Sequence, residues 1–252
     1  PAVIDDEPVE LFYDSGSSAI PSLEALGRAY EDSLIDKALY LKEVTLKLAG
    51  NELQFSLLRV LNEGQEWNIA DTINPIRLGT IGADLLADRV SIIDFAGQKL
   101  HLFDERPSEM QGLTFSEFDF QGRRFMLPAV IDDEPVELFY DSGSSAFGLL
   151  TSKNRFDAYT DPAEPEITYD ANSHGNSIPV FHRRSDEEMI IGGKTLSLKR
   201  ISYVQWNDEW QGFFSRFTSI GGWMGNKPFT ESALVLDTKT GEFAVAPAPL
   251  PF

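Results

Sequence analysis

Short runs of alternating apolar and polar residues, separated by glycine or by acidic corners, recur along the chain and predict strands rather than long helices. In "AVIDDEPVELFYDSG" the segments Ala2 to Ile4 and Val9 to Tyr13 flank the polar turn Asp5, Asp6, Glu7 and Pro8, the pattern of a hairpin that runs into a glycine turn. Val44, Leu46 and Leu48 alternate with polar neighbours, the chain turns at Gly50 and Asn51, and alternation resumes at Leu53, Phe55 and Leu57. That predicts a second hairpin. "IRLGTIGADLLADRVSIIDFAGQKLHLF" reads as an apolar stretch, a glycine, a short helical "ADLLAD", and a strand pair turning at Ala96 and Gly97. Leu23, Leu26 and Ala29 recur at helical intervals, so a short helix is expected after the first hairpin. The fold class expected from these elements is all-β, with short helices.

The pattern also repeats. "PAVIDDEPVELFYDSGSSA" occupies Pro1 to Ala19 and returns unchanged at Pro128 to Ala146, 127 positions later. Each copy is followed at a distance by two apolar residues, a glycine, a short helical or turn segment, a strand, an Asp-containing turn and a strand. The span from Asp14 to Gly82 is 68 positions and that from Asp141 to Gly225 is 84, the difference falling in the middle of the second half. Two related lobes are implied, 1–107 and 115–252, with "DERPSEMQGLTFSE" (Asp104 to Glu117) as linker or inter-lobe strand. Identity with abrupt edges, between flanks that have diverged, points to recent gene conversion, deliberate duplication or a misassigned first copy.

Composition narrows the function. With 252 residues, 42% of them hydrophobic and 12% aromatic, the chain can bury a core in each lobe. Forty acidic against 21 basic residues give a formal charge of −19, which repels phosphate backbones and argues against nucleic-acid partners. The absence of cysteine excludes disulfides and thiolate chemistry. No run of 18 apolar residues suggests a membrane span, and the first residue, proline rather than methionine, suggests processing or trimming. An exported or periplasmic setting is favoured by the acidic composition.

Several local signals read as structural. "GGKT" at Gly192 to Thr195 has Glu188 where a phosphate loop needs its first glycine, so a hairpin turn is expected. "GSSAF" at Gly143 to Phe147 lacks the last glycine of a nucleophile elbow. His101, His174 and His182 are scattered, and neither a metal nor a cofactor is expected. The acidic "DDEP" corners read as solvated hairpin tips. Trp206, Trp210 and Trp223, with Phe213, Phe214 and Phe217, read first as core and second as the wall of a cleft.

A single Asp-Ser-Gly is an ordinary turn, because its side chains satisfy local backbone amides. Two of them, each after an apolar strand and each followed by apolar-apolar-Gly, make a candidate carboxylate pair. On these residues the chain resembles the aspartic peptidases: "FYDSGSS" matches their hydrophobic-Asp-Thr/Ser-Gly-Thr/Ser signature. "TIGADLLADRVSIIDF" looks like the retropepsin half-site closure, and "GWMGNKPFTESALVLD" like a looser version of it.

The resemblance implies a bilobal acid-protease fold of two related six-stranded β-barrel lobes in one chain, similar to pepsin. It implies an endopeptidase that activates water with a two-aspartate dyad, Asp14 and Asp141, in an inter-lobe cleft. Gly16 and Gly143 would allow the tight turns, Ser15 and Ser142 would cross-bond beneath the dyad where the family usually has Thr, and Ser17 and Ser144 would bond the outer carboxylate oxygens. Gly82 and Gly225 would let neighbouring strands pass close behind. The flap would come from "YDANSHGNSIPVF", with Tyr169, His174 and Gly175, although pepsin-like enzymes take theirs from the first lobe. The expected partner is a peptide or protein substrate, and a monomer is expected ahead of a homodimer. The alternatives are an inactive peptide-binding protein of the same fold and a dyad formed between chains of a homodimer.

Overall fold

The computed structural model describes residues 2–4, 7–13, 20–21, 40–48, 51–59, 77–121, 124–145, 147–173, 176–205, 221–248 and 250, and for the strands before Gly82 the backbone alone. The chain is all-β. Among the described residues the one α-helix is α1 (Lys153–Ala158), and no helix is long and apolar enough to cross a membrane. Contacts divide the chain into two units, Pro1–Leu85 and Leu86–Phe252.

The first unit holds β1 (Ala2–Ile4), β2 (Glu7–Tyr13), β3 (Ile20–Pro21), β4 (Tyr40–Leu48), β5 (Asn51–Arg59) and β6 (Arg77–Ile81), joined in the order β3-β6-β2-β1-β4-β5. Both hairpins expected from the alternation are present: Ala2 lies opposite Val9, and Val44 opposite Phe55. The helix expected around Leu23 to Ala29 lies outside the described residues.

The second unit begins with β7 (Val90–Asp94), β8 (Lys99–Phe103), β9 (Ser116–Glu117) and β10 (Asp119–Gln121). It continues through β11 (Arg124–Ile131), β12 (Glu134–Tyr140), β13 (Leu149–Leu150), β14 (Ile167–Ser173), β15 (Asn176–Arg184), β16 (Glu188–Ile191), β17 (Lys194–Ser197) and β18 (Arg200–Val204). β19 (Gly221–Met224), β20 (Ser232–Asp237) and β21 (Glu242–Pro247) complete it. Its larger sheet contains the run β13-β19-β12-β11-β16-β17, which is the first unit's order strand for strand. Directions agree as well: β2 and β12 each pair in parallel with the strand that precedes Gly82 or Gly225, while the flanking pairs are antiparallel. Ala129 lies opposite Val136 as Ala2 lies opposite Val9, so the repeated sequence adopts the same hairpin register in both places. β14, β15 and β18 extend this sheet beyond β13 and accommodate the longer middle of the second half.

Among the described residues each sheet is an open series of strands, and none closes into a barrel, in place of the barrel lobes expected from the sequence. The hairpin tip of the second copy is also tighter than expected. Asp132 and Asp133 form it alone at φ 52° and 58°, and Glu134 and Pro135 already belong to β12. Two left-handed residues give a turn whose twist matches that of the strands, and aspartate is one of the few side chains that adopts it readily. "GGKT" is likewise a hairpin, with Ile191 opposite Lys194 around Gly192 and Gly193.

A third sheet, in the order β8-β7-β20-β21-β9, joins the two Asp-turn hairpins. Counting from the sequence places β7 and β8 at the end of the first lobe; here β7 pairs along its length with β20, five residues against five. The stretch read as a linker or inter-lobe strand contributes a strand to the same sheet: β9 pairs with β21, and Met110 packs with Val90, Ile92, Ala233, Val235, Ala244 and Ala246. β20 is buried at all six positions, which is why "SALVLD" shows no polar alternation. In both hairpins the aspartate closes the turn: Asp94 Oδ1 accepts from Gly97 N at 2.8 Å, and Asp237 Oδ1 from the amides of Lys239 and Thr240 at 3.1 Å.

Candidate active site

Strand β12 buries Val136, Leu138, Phe139 and Tyr140 and delivers Asp141 one residue beyond its end. Asp141 stays extended (φ −138°, ψ 106°) and caps the single 3-10 turn Ser142–Ser144. Its side chain accepts from Gly143 N at 2.8 Å through Oδ1, and from Ser144 Oγ at 2.8 Å through Oδ2. A third donor comes from another strand, since Nε1 of Trp223 on β19 reaches Oδ2 at 2.9 Å. Asp141 as a residue is only 6% exposed. Burial of so polar a group is tolerated because both oxygens are occupied by donors.

The parallel pair β12–β19 sets this geometry. Asp141 N donates to Met224 O at 2.9 Å, and Phe139 lies opposite Trp223, their rings 5.1 Å apart. Behind the turn the strand must approach closely, and Gly225 permits it. A Cβ there would stand 2.1 Å from the carbonyl oxygen of Ser144 and 2.7 Å from that of Phe147. Gly222 allows the same on the other side of β19, where a Cβ would be 2.6 Å from Leu150 O. Asn226 then ties turn to strand, accepting from the Tyr140 hydroxyl at 2.9 Å and donating to Ser142 O at 3.0 Å.

Of the residues predicted from the sequence, Asp141, Ser142, Gly143 and Ser144 come together in this turn with Gly225 behind them. Ser142 is buried, while Gly143 and Ser144 are partly exposed. Asp14, Ser15, Gly16, Ser17, His174 and Gly175 lie outside the described residues. The hairpin proposed as a flap exists as β14 and β15, with Tyr169 opposite Val180. β14 is the edge strand of the sheet, separated from β12 by β15, β18, β13 and β19. Tyr169 packs its ring 5.4 Å from that of His182, and burial pushes its phenol up despite nearby Arg200.

Two residues of the site escaped the sequence reading. From the sequence Trp223 reads first as core and second as a cleft wall, and Asn226 carries no signal of its own. A signal existed for the first: Trp223 belongs to the apolar-apolar-Gly motif "WMG", and that strand must run beside the Asp strand if the glycine is to pass behind the turn.

Among the described residues no three His, Cys, Asp or Glu side chains cluster as a metal site. No protein-family model matches the chain, and no curated protein matches it.

Proposed function

We propose that this protein is an aspartic-type endopeptidase of bilobal, retropepsin-like organisation, in which Asp14 and Asp141 share a proton and activate a water against a peptide bond. The observation that carries the reading is the Asp141 turn. An ordinary aspartate turn explains the bond from Gly143 N, but it does not explain a nearly buried carboxylate held by two further donors, Ser144 Oγ and Trp223 Nε1. The same nineteen residues surround Asp14, in a hairpin of the same register beside a strand paired in the same direction. Both halves therefore have the parts to present a carboxylate after a strand.

The chemistry follows from two carboxyl groups sharing one proton; aspartic proteases are the standard worked case of this. The water oxygen bonds to the scissile carbonyl carbon while one water proton passes to the ionised carboxylate. The carbonyl π pair moves onto its oxygen, which takes the proton of the other carboxyl. Collapse of the gem-diol returns a hydroxyl proton to that second group, and the first delivers its proton to the amide nitrogen as the C–N bond breaks. The products are a carboxylic acid and an amine, and the dyad regains one proton.

The test is cleavage of an unfolded protein substrate across pH 3 to 7 by the full chain, by Asp141→Asn and by Asp14→Asn. Loss of cleavage in both variants is the expected result. Undiminished cleavage in Asp141→Asn would sink the reading.

A further inference from the structure

The carboxylate of Asp141 is not symmetrically occupied. Each carboxylate oxygen has two acceptor positions. On Oδ2 both are filled, by Ser144 Oγ at 2.8 Å and Trp223 Nε1 at 2.9 Å, whereas among the described residues Oδ1 accepts only from Gly143 N at 2.8 Å. The two donors on Oδ2 differ in kind. A serine hydroxyl can rotate and accept instead, but an indole N–H only donates, and the Trp223 ring is packed against Phe139 at an interplanar angle of 58°.

Trp223 also separates the two copies. The nineteen-residue sequences are identical, so any difference between their aspartates must come from outside the repeat. In the second unit the residue paired with Phe139 is Trp223; in the first, the residue paired with Phe12 is Thr80, which carries no indole. The strand beside β12 thus supplies an indole donor at a register position where the strand beside β2 carries a threonine.

We infer that Trp223 is a positioning residue that saturates Oδ2 of Asp141 and so makes Oδ1 the atom that takes the proton from the attacking water. Asp141 is then the base of the first step. As the water oxygen bonds to the carbonyl carbon, its proton goes to Oδ1, and the carbonyl oxygen takes its proton from the Asp14 carboxyl. Trp223 donates throughout and loses no proton. This inference rests on the peptidase reading.

The experiment combines nuclear magnetic resonance of the full chain labelled with ¹⁵N at the tryptophan indoles and steady-state cleavage of a peptide substrate. The Trp223 signal is assigned by its absence in Trp223→Phe. In Asp141→Ala that indole proton is expected to move upfield relative to the unsubstituted protein. Trp223→Phe keeps an aromatic ring against Phe139 and removes the donor; its kcat is expected to fall about 10- to 100-fold while KM stays within about threefold. An indole signal unmoved by Asp141→Ala, or a wild-type kcat in Trp223→Phe, overturns the inference. If the indole responds to Asp141→Ala but the unsubstituted protein cleaves nothing, the contact is real and it is the peptidase reading, together with the catalytic role built on it, that is overturned.

Discussion

Ile92 lies directly opposite Val235 in the antiparallel pair of β7 and β20, and Val235 stands 143 positions after Ile92, as Gly225 stands after Gly82 and Asp237 after Asp94. On either side of them Val90 faces Asp237 and Asp94 faces Ala233, so exchanging the two hairpins maps the pairing onto itself. A local twofold axis therefore passes between Ile92 and Val235. Each repeat ends in a hairpin that pairs with its own equivalent.

Both residues at that axis are fully buried. Truncation of either, Ile92→Ala or Val235→Ala, is expected to cost about 2–4 kcal/mol of unfolding free energy. Because the two are direct neighbours, the double substitution should depart from the sum of the singles by at least about 0.5 kcal/mol. Urea titration of the four proteins measures this, and strict additivity would argue against direct packing across the axis.

Gly225→Ala is expected to destabilise the protein by about 1–3 kcal/mol, since the new Cβ would meet the carbonyl oxygens of Ser144 and Phe147 well inside contact distance. The displaced part is the Asp141 turn. Thermal unfolding should show the loss, and peptide cleavage should fall with it. An unchanged melting temperature would mean that the strand does not pass as closely as described.

Asn226→Ala removes the bonds to the Tyr140 hydroxyl and to Ser142 O, and about 1–3 kcal/mol of stability should go with them. Asn226→Asp keeps an acceptor for Tyr140 but not the donor to Ser142 O. It should recover only part of the loss in a denaturant series, and full recovery would show that the Ser142 bond contributes nothing.

Acid should weaken the hairpin pair through Asp237. Burial alone would push this carboxyl up, but the Thr240 amide and the Arg106 guanidinium, whose Nε is 2.6 Å from Oδ2, outweigh it and hold it below the usual carboxylate range. A group whose folded pKa is depressed stabilises the fold above its unfolded value and ceases to do so as pH falls through the folded one. Arg106→Met should therefore cost about 1–3 kcal/mol at pH 7 and markedly less at pH 3, read from urea midpoints. An equal cost at both values would assign the role of Arg106 to packing, including its stacking over Phe115 at 4.0 Å.

His182 should give a second, higher window. It is buried, its Nδ1 has no hydrogen-bond partner among the described residues, and burial followed by the charges of Arg200 and Lys227 pushes its imidazole down. The unfolded chain then takes up the proton first, near pH 6.5, and stability falls from there toward the folded pKa by up to about 1.4 kcal/mol per pH unit. His182→Leu should lose less stability than the unsubstituted protein between pH 7 and 5. If the two decline in parallel, His182 is not the group responsible.

Much of the β architecture was legible in the order of residues. Alternation marked the β1–β2, β4–β5 and β7–β8 hairpins, glycine and aspartate marked their corners, and the duplicated nineteen residues announced that one local structure is used twice. These are short-range properties, determined by the period of the side chains and by the few residues that fit a left-handed turn. The aspartate, its glycine and its second serine were legible for the same reason, because a capped turn closes within four residues.

The partners that arrive from elsewhere in the chain were not legible. Nothing in "SIIDF" or "SALVLD" says that the two strands pair with each other, since a strand buried on both faces carries no mark of its neighbour. Nor does the apolar pattern distinguish Trp223, which donates to Asp141, from an aromatic that only fills space. The sequence by itself determined the turns and the chemistry each copy can offer. Only the tertiary structure decided which strand lies beside which, because strand pairing is set by burial and register between residues that in the β12–β19 pair are 84 positions apart, and with it that Trp223 donates to Asp141.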